Sequence, residues 1–362
     1  MATPHALALG FKPEGLAEAI AFHRAHESPW SRDFLTPEGR YIGVADEPPA
    51  PGEVLGPVRP RGGPNGLVLR RGQIAAEWGD TARADMSFSI AKSYLGVLAG
   101  LAVARGLIRD VDAPVRDSAL DDGFDAGQNR AVTWRHLLQQ TSEWSGTLWG
   151  KPDTIDHNRD LGRSELGASD KGRPRRLGAP GTFWEYNDVR VNRLSLSLLQ
   201  VFRRPLADLL REAVMDPIGA SRDWEWQPYR EAWVTIDGVR MPSVPGGSHW
   251  GGGLWMSTRD HARFGLLVQR RGRWQGRELV PAGWIDQMLR PCPVNPEYGF
   301  LWWLNTGRRG LPSAPASSFA ARGAGSNVIW IDPDREIVAV IRWIARPQVD
   351  AFLARLLAAV AD

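Results

Sequence analysis

The chain has 362 residues, 43% of them hydrophobic and 23% charged, with a formal net charge of +3. This balance excludes a disordered or collagen-like chain, and so small a surplus of arginine makes no nucleic-acid-binding patch. The single cysteine, Cys292, excludes an internal disulfide.

Of 44 basic residues only four are lysines: Lys12, Lys92, Lys151 and Lys171. On a surface the two cations are interchangeable. Inside a site they are not, because lysine can lose its proton when desolvated and arginine stays charged. The N-terminal Met-Ala-Thr-Pro-His-Ala-Leu-Ala-Leu-Gly has no basic leader region and too short an apolar stretch for a signal segment. No run reaches the roughly 18 apolar residues of a membrane span. With the free cysteine, these features lead to the expectation of a cytoplasmic protein that engages neither membrane nor nucleic acid.

Residues 14–26 carry helical apolar spacing. Residues 46–65 are rich in Pro and Gly and read as a surface loop. A hairpin follows, with Gly66–Arg71 and Gln73–Trp78 as its arms and Gly72 at the turn. Residues 87–105 read as a long helix with Ile90, Tyr94, Val97, Leu98 and Leu101 on one buried face, ending near Gly106. Residues 132–140 predict a second helix capped by Thr133. Residues 150–181 are charged, Gly-rich and aperiodic, and loops of that length are usually functional or mobile. Helical spacing returns over 188–215. After the turn-rich Pro245–Gly253, Ser257 and Asp260 form an acidic capping box for a helix to Leu267. Strands are expected at 298–304, 319–321, 328–331 and 336–344, and a helix at 348–360. Strands near both ends with helix between predict an α+β fold. Residues 1–85 and 252–362 would build an antiparallel sheet flanked by N- and C-terminal helices. Residues 86–251 would form a mostly helical insert.

One lysine falls in a chemically meaningful place, Ser89-Ile90-Ala91-Lys92. Spacing i, i+3 on a helix puts both side chains on one face, and Ser89 sits where the helix N-terminus favours developing negative charge. A desolvated Lys92 would be a neutral amine able to take the serine proton. With 20 serines and four lysines in 362 residues, about 0.2 such tetrapeptides arise by chance, so the motif alone is only suggestive. Competing systems are poorer: the chain has no Gly-x-Ser-x-Gly elbow, no His-Glu-x-x-His and no cysteine pair. His136 reads as a packing histidine and His249 as support for a turn. No cofactor or metal is expected.

The chain resembles the serine β-lactamase-like superfamily, which includes class C β-lactamases, penicillin-binding DD-peptidases, esterases and 6-aminohexanoate-dimer hydrolases. Beyond Ser89–Lys92, the resemblance is carried by Val132–Ser142, Pro180–Asp188 with its Tyr186-Asn187-Asp188, Trp250–Asp260, and Ala321-Arg322-Gly323-Ala324-Gly325. It implies a β-lactamase/transpeptidase-like fold. It also implies that Ser89 is the acylated nucleophile, that Lys92 shares proton traffic, and that Tyr186 is general base or acid assisted by the Lys92 ammonium. The N–H groups of Ser89 and Ala324 would form the oxyanion hole, beside Gly323.

Two positions depart from the family pattern. Asp188 stands where Asn is expected, and would either pair with Lys92 or receive a cationic part of the substrate. Ala321 replaces the third-motif cation, and strand alternation should point the adjacent Arg322 away. That argues against penicillins and peptidoglycan stems. Trp144, Trp149, Trp184, Trp224, Trp226, Trp250 and Trp255 either line an apolar pocket or pack the core, with Trp184 the best pocket candidate. Glu143 and Trp144 are expected to narrow the cleft. The resulting expectation is a serine hydrolase acting through an acyl-enzyme on a small ester or amide, such as a carboxylesterase or a 6-aminohexanoate-dimer-hydrolase-like amidase. The alternatives are a β-lactamase or D-amino-acid peptidase, an acyltransferase, and a catalytically silent binding module.

Overall fold

A computed structural model describes residues 6–45, 47, 52–159, 161 and 170–361. The first five residues of the N-terminal reading, and parts of the loops at 46–65 and 150–181, lie outside the described residues.

The chain builds helices α1 (Pro13–Ala25), α2 (Ile90–Ala104), α3 (Trp134–Leu138), α4 (Asp188–Phe202), α5 (Leu206–Leu210), α6 (Thr258–Gln269), α7 (Ala282–Met288) and α8 (Val349–Ala358). Its main sheet uses β1 (Asn65–Arg70) and β2 (Gln73–Trp78) from one end of the sequence. From the other end come β6 (Trp303–Leu304), β7 (Phe319–Gly323), β8 (Asn327–Asp332) and β9 (Ile337–Arg342). The order is β6-β7-β8-β9-β1-β2, antiparallel throughout, so the two ends meet where Leu67 pairs with Val340. A smaller sheet joins β3 (Asp85–Met86), β5 (Gly253–Met256) and β4 (Glu225–Gln227) in that order. The fold is α+β with an antiparallel sheet, as the arrangement of strands predicts.

Side-chain alternation along the central strands makes two cores. Val328, Trp330, Ala339 and Ile341 face α1 and α8 with Leu16, Ile20, Phe352 and Leu356. Ile329, Ile331, Val338 and Val340 face the larger core that holds α2, α4 and α6. Gly265 lets α6 lie directly on the sheet, since a Cβ there would stand 2.8 Å from both Ile329 and Val338.

Three local expectations change. Helix α2 is buried on every side from Ile90 to Ala102 rather than on one face, as befits a uniformly apolar helix in a large core. The apolar run at 188–215 breaks after Phe202, because Arg203 adopts a left-handed conformation and Pro205 cannot continue the helix. Only Trp303–Leu304 of the 298–304 segment joins the sheet. Both predicted N-caps form: Thr133 Oγ1 accepts from His136 N at 3.3 Å, and Ser257 Oγ accepts from Asp260 N at 3.1 Å. No helix among the described residues is long and apolar enough to cross a membrane.

Candidate active site

Ser89 is the N-cap of α2 and is half-buried. It follows Phe88, whose φ of 49° is strained for a bulky residue and is held by edge contacts from Trp30, Phe34 and Trp343. One turn along, Lys92 is 1% exposed. Its ammonium reaches Ser89 Oγ at 2.9 Å, Asp188 Oδ1 at 2.5 Å and the Gly246 carbonyl at 3.1 Å. Three acceptors surround one nitrogen, which matches the three N–H bonds of an ammonium; a neutral amine has only two.

The electrostatics agree. Burial opposes the charge on Lys92, but the Asp188 and Tyr186 groups outweigh it and raise the pKa above the ordinary lysine range. Asp188 moves the other way. Burial would raise its carboxyl, yet Lys92, Arg159 and His249 hold it well below the usual range. The expectation of a neutral Lys92 is therefore corrected: desolvation is real, but a buried carboxylate over-compensates it.

Asp188 opens α4, where the helix dipole favours an acid. Asn187 caps that helix by accepting from Arg190 N, and its own N–H donates to Gln140 Oε1 at 2.8 Å, which fixes the Tyr186 segment. Asp188 Oδ2 accepts from Arg159 Nη1 at 2.7 Å and from His249 Nδ1 at 3.1 Å. Asp156 Oδ2 lies 3.4 Å from Arg159 and accepts the Asp188 N–H at 2.7 Å. The other nitrogen of His249 contacts Glu47 Oε1 at 2.5 Å. Burial alone would raise the Glu47 carboxyl, but His249, Lys171 and Trp250 bring it down to about 2. Lys171 stands 3.6 Å from Glu47 and 3.4 Å from Asp156, and Lys151 stands 3.6 Å from Glu47.

These contacts decide between the two expectations for Asp188 and revise the one for His249. Asp188 pairs with Lys92; at 4% exposure, with both oxygens engaged by cations, it has no free face for a substrate amine. Lys151 and Lys171, from the charged loop at 150–181, join the same network. His249 does more than support a turn, since it bridges two carboxylates. Asp156, Asp188 and His249 also bring possible ligand atoms within 4.8 Å of one another, but Lys92, Arg159 and Lys171 already supply the positive charge there.

The turn-rich segment arches over this group. Gly251, Gly252 and Gly253 all take positive φ, which suits only glycine in succession. Gly247 lies against Ser89 and Lys92: a Cβ there would stand 3.3 Å from Lys92 Nζ and 3.5 Å from Ser89 Oγ. On the other side, a Cβ on Gly323 would meet Ser87 O at 2.4 Å and Ser89 N at 3.3 Å, so the end of β7 abuts the Ser89 backbone. The exposed Ala324 follows directly.

Tyr186 is buried beside Lys92 Nζ, 4.8 Å from the ring centre, and Arg159 Cζ, 5.3 Å from it. Trp303 stacks on it at 5.5 Å, and Tyr298 and Trp184 meet it at 6.4 Å and 6.3 Å. Trp184 and Trp303 are only half-buried and form an aromatic wall. Trp144, Trp224, Trp226, Trp250 and Trp255 are core residues instead, and Trp149 packs edge-on against Tyr229. Glu143 does not narrow the cleft. It is fully buried, and its carboxylate is taken by Arg175 at 2.6 Å, Arg190 at 3.5 Å and the Gly178 N–H at 2.9 Å. Trp144 is buried too, donating its indole N–H to Gly123 O.

Ala321 lies in the core, as a small residue there permits. Arg322 does not point away from the site. Its guanidinium comes 5.7 Å from the Trp303 ring and within electrostatic reach of Tyr186. Alternation sets where a side chain leaves the strand, but a long arginine at the strand end can reach back. Arg159, Tyr298, Trp303 and Glu47 escaped sequence reasoning. None belongs to a spaced motif; the rarity of lysine and the departure at Asp188 were the signals that pointed towards this network.

Three solved structures place the fold. A penicillin-binding protein homologue from Caulobacter crescentus superposes with a TM-score of 0.62 at 16% identity, covering 97% of this chain and 99% of that one. A candidate 6-aminohexanoate-dimer hydrolase from Bacillus anthracis gives 0.57 at 16% identity, covering 81% and 77%. A D-stereospecific amidohydrolase from a Streptomyces species gives 0.53 at 16% identity, covering 78% and 89%. At these identities the likeness is one of fold. No curated protein matches the chain by sequence. The Beta-lactamase family model matches residues 67–361, most of the chain, and the protein belongs to that family, whose members are largely serine hydrolases.

Proposed function

We propose that this protein cleaves a small ester or linear amide through an acyl-enzyme on Ser89. The observation that carries the reading is the Lys92 ammonium, donating to Ser89 Oγ at 2.9 Å while Asp188 keeps it charged. Because Lys92 already carries its full set of protons, it does not serve as the base. Tyr186 takes that part as the phenolate: it accepts the Ser89 proton as Oγ bonds to the substrate carbonyl carbon, becoming the neutral phenol, and returns the proton to the departing alcohol or amine as the old bond breaks. Lys92 orients Ser89 and offsets negative charge on the phenol oxygen. The Ser89 and Ala324 N–H groups stabilise the tetrahedral oxyanion. Water then repeats the sequence to release the acid. Trp184 and Trp303 line the acyl side, which favours apolar groups.

The test uses p-nitrophenyl acetate with mass spectrometry of the protein after fluorophosphonate treatment. The expected result is ester turnover and a covalent adduct on Ser89, both absent in Ser89→Ala. No turnover and no adduct would overturn the reading in favour of a silent binding module. Arg322 supports a second reading, because it brings a cation to the aromatic wall despite Ala321. A substrate carboxylate, as in a β-lactam, would find a partner there, and nitrocefin turnover matching ester turnover would favour that reading.

A further inference from the structure

We propose that Arg159 is a positioning residue for the Ser89 reaction, acting through Asp188 and across the face of Tyr186. The inference rests on the proposed function and adds to it a residue outside its three reacting side chains.

Asp188 is shared. Lys92 takes Oδ1 at 2.5 Å, and Arg159 takes Oδ2 at 2.7 Å. The same guanidinium lies 5.3 Å from the centre of the Tyr186 ring, while Lys92 lies 4.8 Å from it. Arg159 is in turn anchored by Asp156 at 3.4 Å, and Asp156 also receives the Asp188 N–H. The result is a closed set in which each carboxylate meets more than one donor.

Two consequences follow for the reaction. First, Arg159 fixes the rotation of the Asp188 carboxylate. With Oδ2 held, Oδ1 offers Lys92 a single contact point, and the other two ammonium protons stay directed at Ser89 Oγ and Gly246 O. Without Arg159 only His249, at 3.1 Å, still holds Oδ2, so the carboxylate is freer to turn and draw Lys92 into a two-point pair, away from Ser89. Second, Arg159 places another fixed cation beside the Tyr186 oxygen, which is negative before it takes the Ser89 proton and again once it has passed that proton to the leaving group. In a water-poor site, such a charge acts with little reorganisation. A half-buried arginine is suited to both tasks because it stays charged and presents a rigid fork.

The test compares Arg159→Gln and Arg159→Lys in the full chain, measuring kcat and KM for p-nitrophenyl acetate and the thermal midpoint. Misplacing a reacting group by about 1 Å costs roughly 100-fold. Arg159→Gln should therefore lose kcat by about that factor with KM changed less than about threefold, and Arg159→Lys should recover at least about tenfold of the loss. A Gln variant with kcat within about threefold of the parent, a loss confined to KM, or equal losses in both variants would overturn the inference. If Arg159→Gln does not fold, the Lys variant decides. Folded with kcat within about tenfold it supports the cation's role, and folded with a larger loss it refutes it. An unmodified protein without turnover or a Ser89 adduct fails the proposed function itself, a result distinct from any of these.

Discussion

Asp188→Asn separates the two roles open to Lys92. The change removes one negative charge and little volume. Arg159 keeps Asp156 at 3.4 Å and His249 keeps Glu47 at 2.5 Å, so Lys92 is the cation left without an anion. At 2.5 Å and an effective dielectric near 20, the Coulomb attraction is about 7 kcal/mol before the desolvation cost. Breaking a buried pair from one side typically costs about 3–5 kcal/mol net. With unfolding entropies of about 2.1 cal/mol/K per residue, that lowers the melting point of this chain by about 4–7 °C. The sign with pH follows from the two shifts. Lys92 is raised, so its share of stability is full below the ordinary lysine value and is lost as pH climbs through its folded pKa. Asp188 is depressed, so its share is full above the ordinary aspartate value and is lost as pH falls through its folded pKa. Across the neutral range the pair is intact.

Without Asp188, Tyr186 alone opposes burial and the nearby Arg159 charge, so the Lys92 pKa falls. The assay is the pH–rate profile for p-nitrophenyl acetate from about pH 6 to 10, alongside thermal melts. If the ammonium is the working form, the variant gains an alkaline loss of activity that the parent lacks in that range. If activity in the variant instead rises where Lys92 deprotonates, the amine is the base and the assignment of Tyr186 is refuted.

Two further outcomes are expected. Gly247→Ala places a methyl 3.3 Å from Lys92 Nζ and 3.7 Å from Asp188 Oδ1, so ester kcat/KM should fall by about tenfold while stability falls by about 1–3 kcal/mol; unchanged kinetics would show that Gly247 does not face the substrate. Far from the site, burial lowers the pKa of His23 to about 4, where its ring accepts from Trp78 Nε1 at 2.9 Å and meets Arg342 O at 3.0 Å. A depressed histidine stabilises above its unfolded value and loses that share as pH falls from about 6.5 to 4, about 3 kcal/mol in all. Urea melts at both pH values should show most of this loss removed in His23→Gln, and an identical pH dependence in parent and variant would refute the reasoning.

Much of the fold was legible because its signals are local. The hairpin at 66–78, the caps at Thr133 and Ser257, and the apolar runs of β8 and β9 each depend on residues within a few positions of one another. Errors fell where tertiary packing overrode pattern. Helix α2 is apolar enough to be enclosed on all sides, and a left-handed Arg203 splits what reads as one long helix. The segment at 298–304 has strand composition, yet it spends most of its residues in turns that bring Tyr298 under the aromatic wall.

The site divides the same way. The sequence by itself determined that Ser89 and Lys92 share a helical turn, since a spacing of three residues is enough for that. It also marked Lys92 as unusual, because arginine fills nearly every other basic position. Only the tertiary structure decided the charge on that lysine. Its counter-ion, Asp188, is 96 residues away, and the partners of Asp188 come from Arg159, His249 and, through His249, Glu47. Protonation in a buried cluster is set by distance and dielectric, which follow from how segments remote in sequence pack together. The scarcity of lysine therefore marked more than one residue: Lys92, Lys151 and Lys171 converge on one network, and the carboxylates gathered there set the charge that Lys92 carries.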